Sequence, residues 1–88
     1  MFEYDPVKSA ANLAKHGIDF GAAQALWNDD LRLVVAARFV SEPRILVIGR
    51  IGDVIWTAVV TERGEATRII SVRRARQEEV AAYDVQDP

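Results

Sequence analysis

The hydrophobic positions in the first part of the chain recur at the spacing of an amphipathic helix. Asp5 and Pro6 predict its start, because aspartate accepts hydrogen bonds from free helix N–H groups and proline fits the first helical position. The helix is expected to end before Gly17, since glycine readily adopts the left-handed conformation that follows many helices. Its polar side is predicted to be a stripe of Lys8, Asn12 and Lys15.

After residue 30 the spacing of hydrophobic residues changes from helical to alternating, which predicts strands. A short helix capped by Asp19 is expected before this change, and an amphipathic helix closes the chain. A turn is predicted at 41–43 and a tight hairpin loop at 62–65. The predicted elements are helices over 6–16, 20–27 and 77–83, and strands over 31–39, 45–48, 54–61 and 68–75.

The order of these elements predicts an α+β fold. Consecutive strands joined by short turns must pair antiparallel. We therefore expect a single domain over residues 1–88, with two N-terminal helices and a C-terminal helix packed on a four-stranded antiparallel sheet. The strand over 54–61 is apolar on both faces and is predicted to be central.

Composition excludes several classes of protein and site. Half of the 88 residues are hydrophobic and 27 % are charged, as in an ordinary globular domain. The absence of cysteine excludes disulfides and thiolate nucleophiles, and a single histidine disfavours a transition-metal site, so no cofactor is expected. The apolar runs are far shorter than the roughly 20 residues that cross a bilayer. A cytoplasmic protein without a membrane partner is the simplest expectation.

Positive charge is concentrated near the carboxyl terminus of a chain whose formal net charge is −2. Residues 63–76 hold five arginines and one acid. This cationic stripe favours a site for phosphate or for an acidic partner, although arginines beside an edge strand also serve solubility. Strand alternation predicts two faces there, one with Arg68, Ile70 and Val72 and the other with Ile69, Ser71 and Arg73.

Two blocks of residues together resemble the BrnT family of bacterial toxins. The first block comprises Phe2, Asp5, Pro6, Lys8, Asn12, Lys15, His16, Gly17, Phe20 and Ala23. The second comprises Glu42, Arg44, Gly49, Arg63, Gly64, Arg68, Ile69, Ile70, Ser71, Arg73, Ala75, Glu79 and Tyr83. The chain departs from the family pattern at Arg76, where a serine or threonine helix cap is expected, and in its acidic tail.

The resemblance implies a RelE-like fold and a metal-independent endoribonuclease of a type II toxin–antitoxin system. It implies a ribbon-helix-helix antitoxin as partner, RNA as substrate, and DNA binding only through the antitoxin. Whether the ribosome takes part in cleavage stays open. The alternative is a RelE-like binding module without enzymatic activity, which docks a partner protein through its arginine stripe.

Metal-free RNA cleavage requires a base, an acid and fixed cations around the phosphate. Arg63 and Arg73 are predicted to clamp phosphate, because guanidinium pairs two phosphate oxygens and stays charged. Lys15 and His16 are predicted catalytic groups, His16 being the one side chain that ordinarily titrates near neutrality. The remaining candidates are Glu79 and Tyr83 as an acid–base pair, and Arg44, Arg68 and Arg74 for RNA binding.

Each candidate also has a structural interpretation. His16 and Lys15 fit a helix end, where positive charge is favourable. Arg63 could brace its hairpin through a neighbouring glutamate, and Arg73 could pair with Glu79 to hold the last helix on the sheet. Tyr83, Trp27 and Trp56 are expected in the core, and Asp29 and Asp30 in a loop. The nuclease hypothesis requires Lys15, His16, Arg63 and Arg73 to share one cleft.

Overall fold

The computed structural model describes residues 1–37 and 43–86. Five strands form one mixed sheet in the order β1-β5-β4-β3-β2. The elements are β1 (Phe2–Glu3), α1 (Pro6–His16), α2 (Phe20–Ala23), a 3-10 helix (Gln24–Asn28), β2 (Leu33–Ala37), β3 (Arg44–Ile51), β4 (Val54–Arg63), β5 (Ala66–Arg74) and α3 (Gln77–Asp84). The predicted turn at 41–43 and the end of the predicted strand, Arg38 and Phe39, lie wholly or partly outside the described residues.

The α+β class, the order of the predicted elements and the central position of β4 are confirmed. The four predicted strands pair antiparallel as expected, but the prediction of a four-stranded sheet is wrong, because β1 adds a fifth strand that runs parallel to β5. Phe2 pairs with Thr67 and Glu3 with Arg68. Two residues are too few to show an alternating pattern, so this strand is recognisable only through its partner.

Helix α1 begins and ends as the sequence predicts. The Asp5 carboxylate accepts a hydrogen bond from the Val7 N–H at 2.9 Å. Gly17 has a φ of 84°, in the left-handed region, and its N–H donates to the Leu13 carbonyl. The second helix is also capped as predicted, by the Asp19 carboxylate on the Ala22 N–H at 2.8 Å. It is shorter than expected, because its final turns tighten into the 3-10 helix.

The predicted polar stripe on α1 is wrong at Asn12, which is buried. Its amide donates to the Ile18 carbonyl at 2.7 Å and to the Val72 carbonyl at 2.9 Å. Its carbonyl accepts from the Val72 N–H at 3.2 Å. Asn12 therefore substitutes for a neighbouring strand along the outer edge of β5, beyond the point where β1 pairs with it.

The core lies between the sheet and the first two helices. Phe20, Ala23 and Leu26 are buried against Ala58 and Val60 of the central strand. Trp56 is buried with them, and Trp27 packs at the margin with its ring edge-to-face on Phe2, 4.7 Å between centroids. The prediction that the tryptophans are core residues is confirmed for Trp56, whereas Trp27 is only partly buried against the core.

The predicted faces of β5 are wrong because the strand contains a β-bulge. Val59 pairs with Ser71 and Val60 pairs with Ile69, so Ile70 is an extra residue without a partner on β4. The bulge shifts the alternation by one position. Ile69 and Val72, predicted to face opposite sides, consequently both lie in the core.

Candidate nucleic-acid interface

The sheet face opposite the core is covered by α3 at one end only, and we call its remainder the open face. Residues paired across strands share a face, so register shows which side chains lie there. Ile45 of β3 pairs with Val60 of β4, so in this antiparallel register the preceding residue Arg44 lies opposite the following residue Thr61. On its other side, Thr61 pairs with Arg68 of β5. Arg44 and Arg68 flank Thr61 about 10 Å apart, given strand spacings of about 4.8 Å.

Arg63 joins this group from the same strand as Thr61. It is two positions further along β4, on the same face, and its side chain is exposed. Within residues 1–37 and 43–86 it forms no ion pair with either neighbouring glutamate, so the predicted brace of the hairpin is absent there. Arg44, Arg63 and Arg68 form what we call the arginine cluster, at the hairpin end of the open face.

An acid from β1 lies beside the cluster. Glu3 of β1 contacts Arg68, with 3.5 Å between a carboxylate oxygen and a guanidinium nitrogen. Both side chains are partly exposed, 28 % for Arg68 and 39 % for Glu3. A pair of this length and exposure is weak and exchanges easily for a ligand phosphate.

Lys15 and His16 lie at the margin of the open face. Together with Lys8 they line a cavity of about 230 Å³ between α1 and the bulged part of β5, where Ile70 and Ser71 form the opposite wall. Both basic residues belong to the last turn of α1, and Lys8 lies two turns earlier on the same side. The structure thus places three potentially cationic groups beside Ser71, which shares the open face with Val59.

Arg73 lies at the other end of the sheet, fully engaged by Glu79 of α3. Two guanidinium nitrogens donate to the two carboxylate oxygens at 2.7 and 3.0 Å. The carboxylate also accepts from the Thr57 hydroxyl at 3.0 Å and from the Arg76 N–H at 2.8 Å. The hydrogen bonds from Arg73 lower the pKa of Glu79 to about 2, and the same contact raises the pKa of Arg73.

This network confirms the structural interpretation of Arg73 and Glu79 given by the sequence: the pair holds α3 on the sheet. A carboxylate with so low a pKa is a weak base at neutral pH. Glu79 also supplies half of a capping box, because its carboxylate accepts from the N–H of the cap residue Arg76. It therefore compensates for the missing serine or threonine at that position.

Tyr83 is buried and provides a second contact that holds α3 on the rest of the domain. Its hydroxyl donates to the Asp29 carboxylate at 2.5 Å, and burial followed by this bond raises the pKa of Tyr83. Asp29 also accepts from the N–H groups of Arg50 and Leu31. Partial burial of Asp29 raises the pKa of its carboxyl group, but these three hydrogen bonds outweigh that effect and keep the pKa below its usual value. Tyr83 and Glu79 thus belong to two separate networks.

The expectation of a single cleft is wrong. Arg73 pairs with Thr57, six positions before Arg63 on β4, and about 3.3 Å per residue separates them by roughly 20 Å. Arg74 pairs with Trp56 and lies over its ring at 5.8 Å, on the core side of the sheet. The structure groups Arg44, Arg63 and Arg68, places Lys15 and His16 at the adjacent margin, and separates all of these from Arg73 and Arg74.

One protein family matches most of this chain. Residues 4–79 match the family described as "Ribonuclease toxin, BrnT, of type II toxin-antitoxin system". The chain belongs to the BrnT family. No match was found among curated proteins.

BrnT membership supplies the biological setting, a type II toxin whose family is defined as ribonucleases and which is paired with an antitoxin. No helix within the described ranges is long and apolar enough to cross a membrane. In the same ranges, no three His, Asp or Glu side chains gather as ligands for a metal ion.

Sequence reasoning missed several residues of this BrnT chain that position the candidate groups. Asn12 and Asp29 were interpreted as exposed or loop residues, yet each binds backbone N–H groups of a distant strand. Thr61, between the two flanking arginines, donates its hydroxyl to the Pro43 carbonyl at 3.1 Å. The alternation of β4 was the one signal that could have placed Thr61 and Arg63 on one face.

Proposed function

We propose that this protein is a metal-independent endoribonuclease toxin that holds RNA on the open face of its sheet. The observation that carries this proposal is the arginine cluster: Arg44, Arg63 and Arg68 come from three separate strand positions and share one face. Guanidinium groups suit phosphate because each offers a planar pair of donors. BrnT family membership supplies the reaction class.

In the proposed reaction the ribose 2′-oxygen attacks the adjacent phosphorus, while the bond from phosphorus to the 5′-oxygen breaks. The 2′-hydroxyl proton passes to a base, and an acid donates a proton to the departing 5′-oxygen. The products are a 2′,3′-cyclic phosphate and a 5′-hydroxyl. Charge builds on the phosphate oxygens during this exchange, and fixed cations stabilise it.

We assign proton transfer to Lys15 and His16, because they line the cavity beside Ser71 at the margin of the open face. An imidazole ring can accept a proton at one nitrogen and donate one from the other, which suits His16 to this role. Lys15 and Lys8 add positive charge to the same cavity. Arg73 and Glu79 are positioning residues in this proposal, since their charges are satisfied by each other.

The test is cleavage of a single-stranded RNA by the purified chain in the presence of EDTA. Arg63→Ala is expected to reduce the rate about tenfold or more, since it removes a fixed cation near the phosphate. Arg76→Ala is the matched control: it removes the same charge from an exposed site at the far end of the sheet, and its side chain makes no cap hydrogen bond. Equal cleavage by both variants would contradict the role of the cluster.

Lys15→Ala and His16→Ala test the proton-transfer assignment. Both side chains are away from the core, so we expect loss of cleavage with an unchanged unfolding midpoint. RNA binding by His16→Ala should stay near the wild-type level, because the arginine cluster is intact. A His16 variant that cleaves RNA at the wild-type rate would disprove its assignment.

A non-enzymatic binding module is the second candidate, and the engagement of Arg73 favours it, because one of the two predicted phosphate clamps is already neutralised. Wild-type protein that binds but does not cut RNA would support this alternative.

The leading proposal also includes the ribbon-helix-helix character of the antitoxin, a cytoplasmic location, and DNA binding through the antitoxin. Sequencing of the co-purified partner would test the antitoxin type, cell fractionation the location, and a DNA mobility shift with and without the partner the DNA binding.

A further inference from the structure

Strand β2 forms the outer edge of the sheet and is open on one side. It pairs with β3 through all five residues from Leu33 to Ala37. The part of the chain that the structure describes places no strand on its other side. In an antiparallel edge strand, alternate residues turn their N–H and carbonyl groups outward, where another extended segment can pair with them.

This edge lacks the features that usually protect edge strands. Leu33–Ala37 contains no charge and no proline, and Val34 and Val35 are 62 % and 41 % exposed on opposite faces. The opposite edge of the sheet is protected, because β1 and the Asn12 side chain bind outward-facing backbone N–H and carbonyl groups of β5. The fold therefore closes one edge and leaves the other available as a pairing surface.

Charge at the start of β2 defines the chemistry of its occupant. Arg32 directly precedes the strand, and no acid occurs between residues 31 and 37. An added strand would gain most if it were apolar in its middle, to cover the two valines, and acidic at the end beside Arg32.

A second copy of this chain fits the same edge poorly. Its β2 brings no acid, because residues 31–37 contain Arg32 and no Asp or Glu. A second copy therefore adds another cation at this edge and supplies no carboxylate for Arg32, so the charge pattern favours a different, acidic partner.

We propose that the open edge of β2 binds the antitoxin by strand addition, taking an extended antitoxin segment with apolar residues in its middle and an acidic residue at the end that meets Arg32. This inference rests on the proposed function, which supplies the antitoxin. Main-chain hydrogen bonds give such a complex its affinity, and the charge of Arg32 favours one register. The surface differs in chemistry from the arginine cluster, because it offers unpaired backbone groups and valines.

Hydrogen exchange on the full chain tests the proposal. The probe is the cognate antitoxin, defined as the protein encoded beside the gene of this chain that forms a stable complex with it. Binding should slow amide exchange within Leu33–Ala37. Val34→Lys should weaken binding about tenfold or more, because lysine on an edge strand opposes pairing. Val7→Lys is the matched control, the same change at a 76 % exposed valine on α1.

Arg32→Glu separates charge recognition from strand pairing and should also weaken binding, whereas it should leave exchange in the free protein unchanged. Unaltered exchange in β2 upon antitoxin binding would overturn the proposal. A wild-type homodimer that Val34→Lys converts to monomers would overturn it in favour of a second copy. Failure of the isolated chain to cleave RNA would contradict the proposed function alone, because antitoxin binding is measured without RNA.

Discussion

Glu79→Gln should destabilise the protein strongly and in a pH-dependent way. The Glu79 carboxylate is 12 % exposed and accepts hydrogen bonds from Arg73, Thr57 and the Arg76 N–H. Its pKa falls from 4.5 to about 2, which corresponds to about 3 kcal/mol of stability at neutral pH. This is a large part of the roughly 5–15 kcal/mol that stabilises a small domain.

The sign of the pH dependence follows from the direction of the pKa change. Because folding lowers the pKa of Glu79, its contribution is complete above the unfolded value of 4.5 and disappears as the pH falls toward about 2. At about pH 3 the wild type should have lost about 2 kcal/mol of this contribution. The difference in unfolding free energy between wild type and Glu79→Gln should therefore shrink from about 3 to about 1 kcal/mol.

Urea unfolding followed by circular dichroism at several pH values measures this difference. Glu78→Gln is the matched control, since Glu78 is the exposed neighbour on α3 and its substitution removes the same charge. We expect its effect to stay within about 0.5 kcal/mol at every pH. A Glu79→Gln difference that is the same at pH 7 and pH 3 would refute the ion pair as its source.

Two further substitutions test contacts that position the open face. Asn12→Ala should lower the unfolding free energy by about 2–4 kcal/mol, because three buried backbone hydrogen bonds lose their partner; Lys8→Ala, exposed on the same helix, should have little effect in the same urea assay. Gly49→Ala should cost about 1–3 kcal/mol, since the added Cβ would lie 3.2 Å from the Leu26 side chain. An unchanged thermal midpoint for Gly49→Ala would show that the neighbouring residues move apart freely.

The parts of the fold that were predicted correctly from the sequence depend on neighbouring residues. The caps at Asp5, Asp19 and Gly17 act within one turn of helix, so their residue types alone predict the helix ends. The antiparallel pairing of each strand with the next, from β2 through β5, follows equally from the short connections between them.

The parts that could not be predicted depend on distant partners. The bulge at Ile70 arises from how β5 aligns with β4, and it reverses the face of every later residue on the strand. Asn12 looked like a surface residue because its partner, the Val72 backbone, is 60 positions away. Arg73 was equally suited to phosphate or to Glu79, and only the position of α3 decides between them.

The pairing of β1 with β5 has a consequence for how the protein is made. Residues 2 and 3 pair with residues 67 and 68, so β1 cannot join the sheet until β5 has been synthesised. Strand β5 also lies between β1 and β4, and the Asn12 contacts require Val72. A nascent chain that stops before residue 66 therefore lacks both a complete core and Arg68, so the sheet and the arginine cluster form only after β5 has been synthesised.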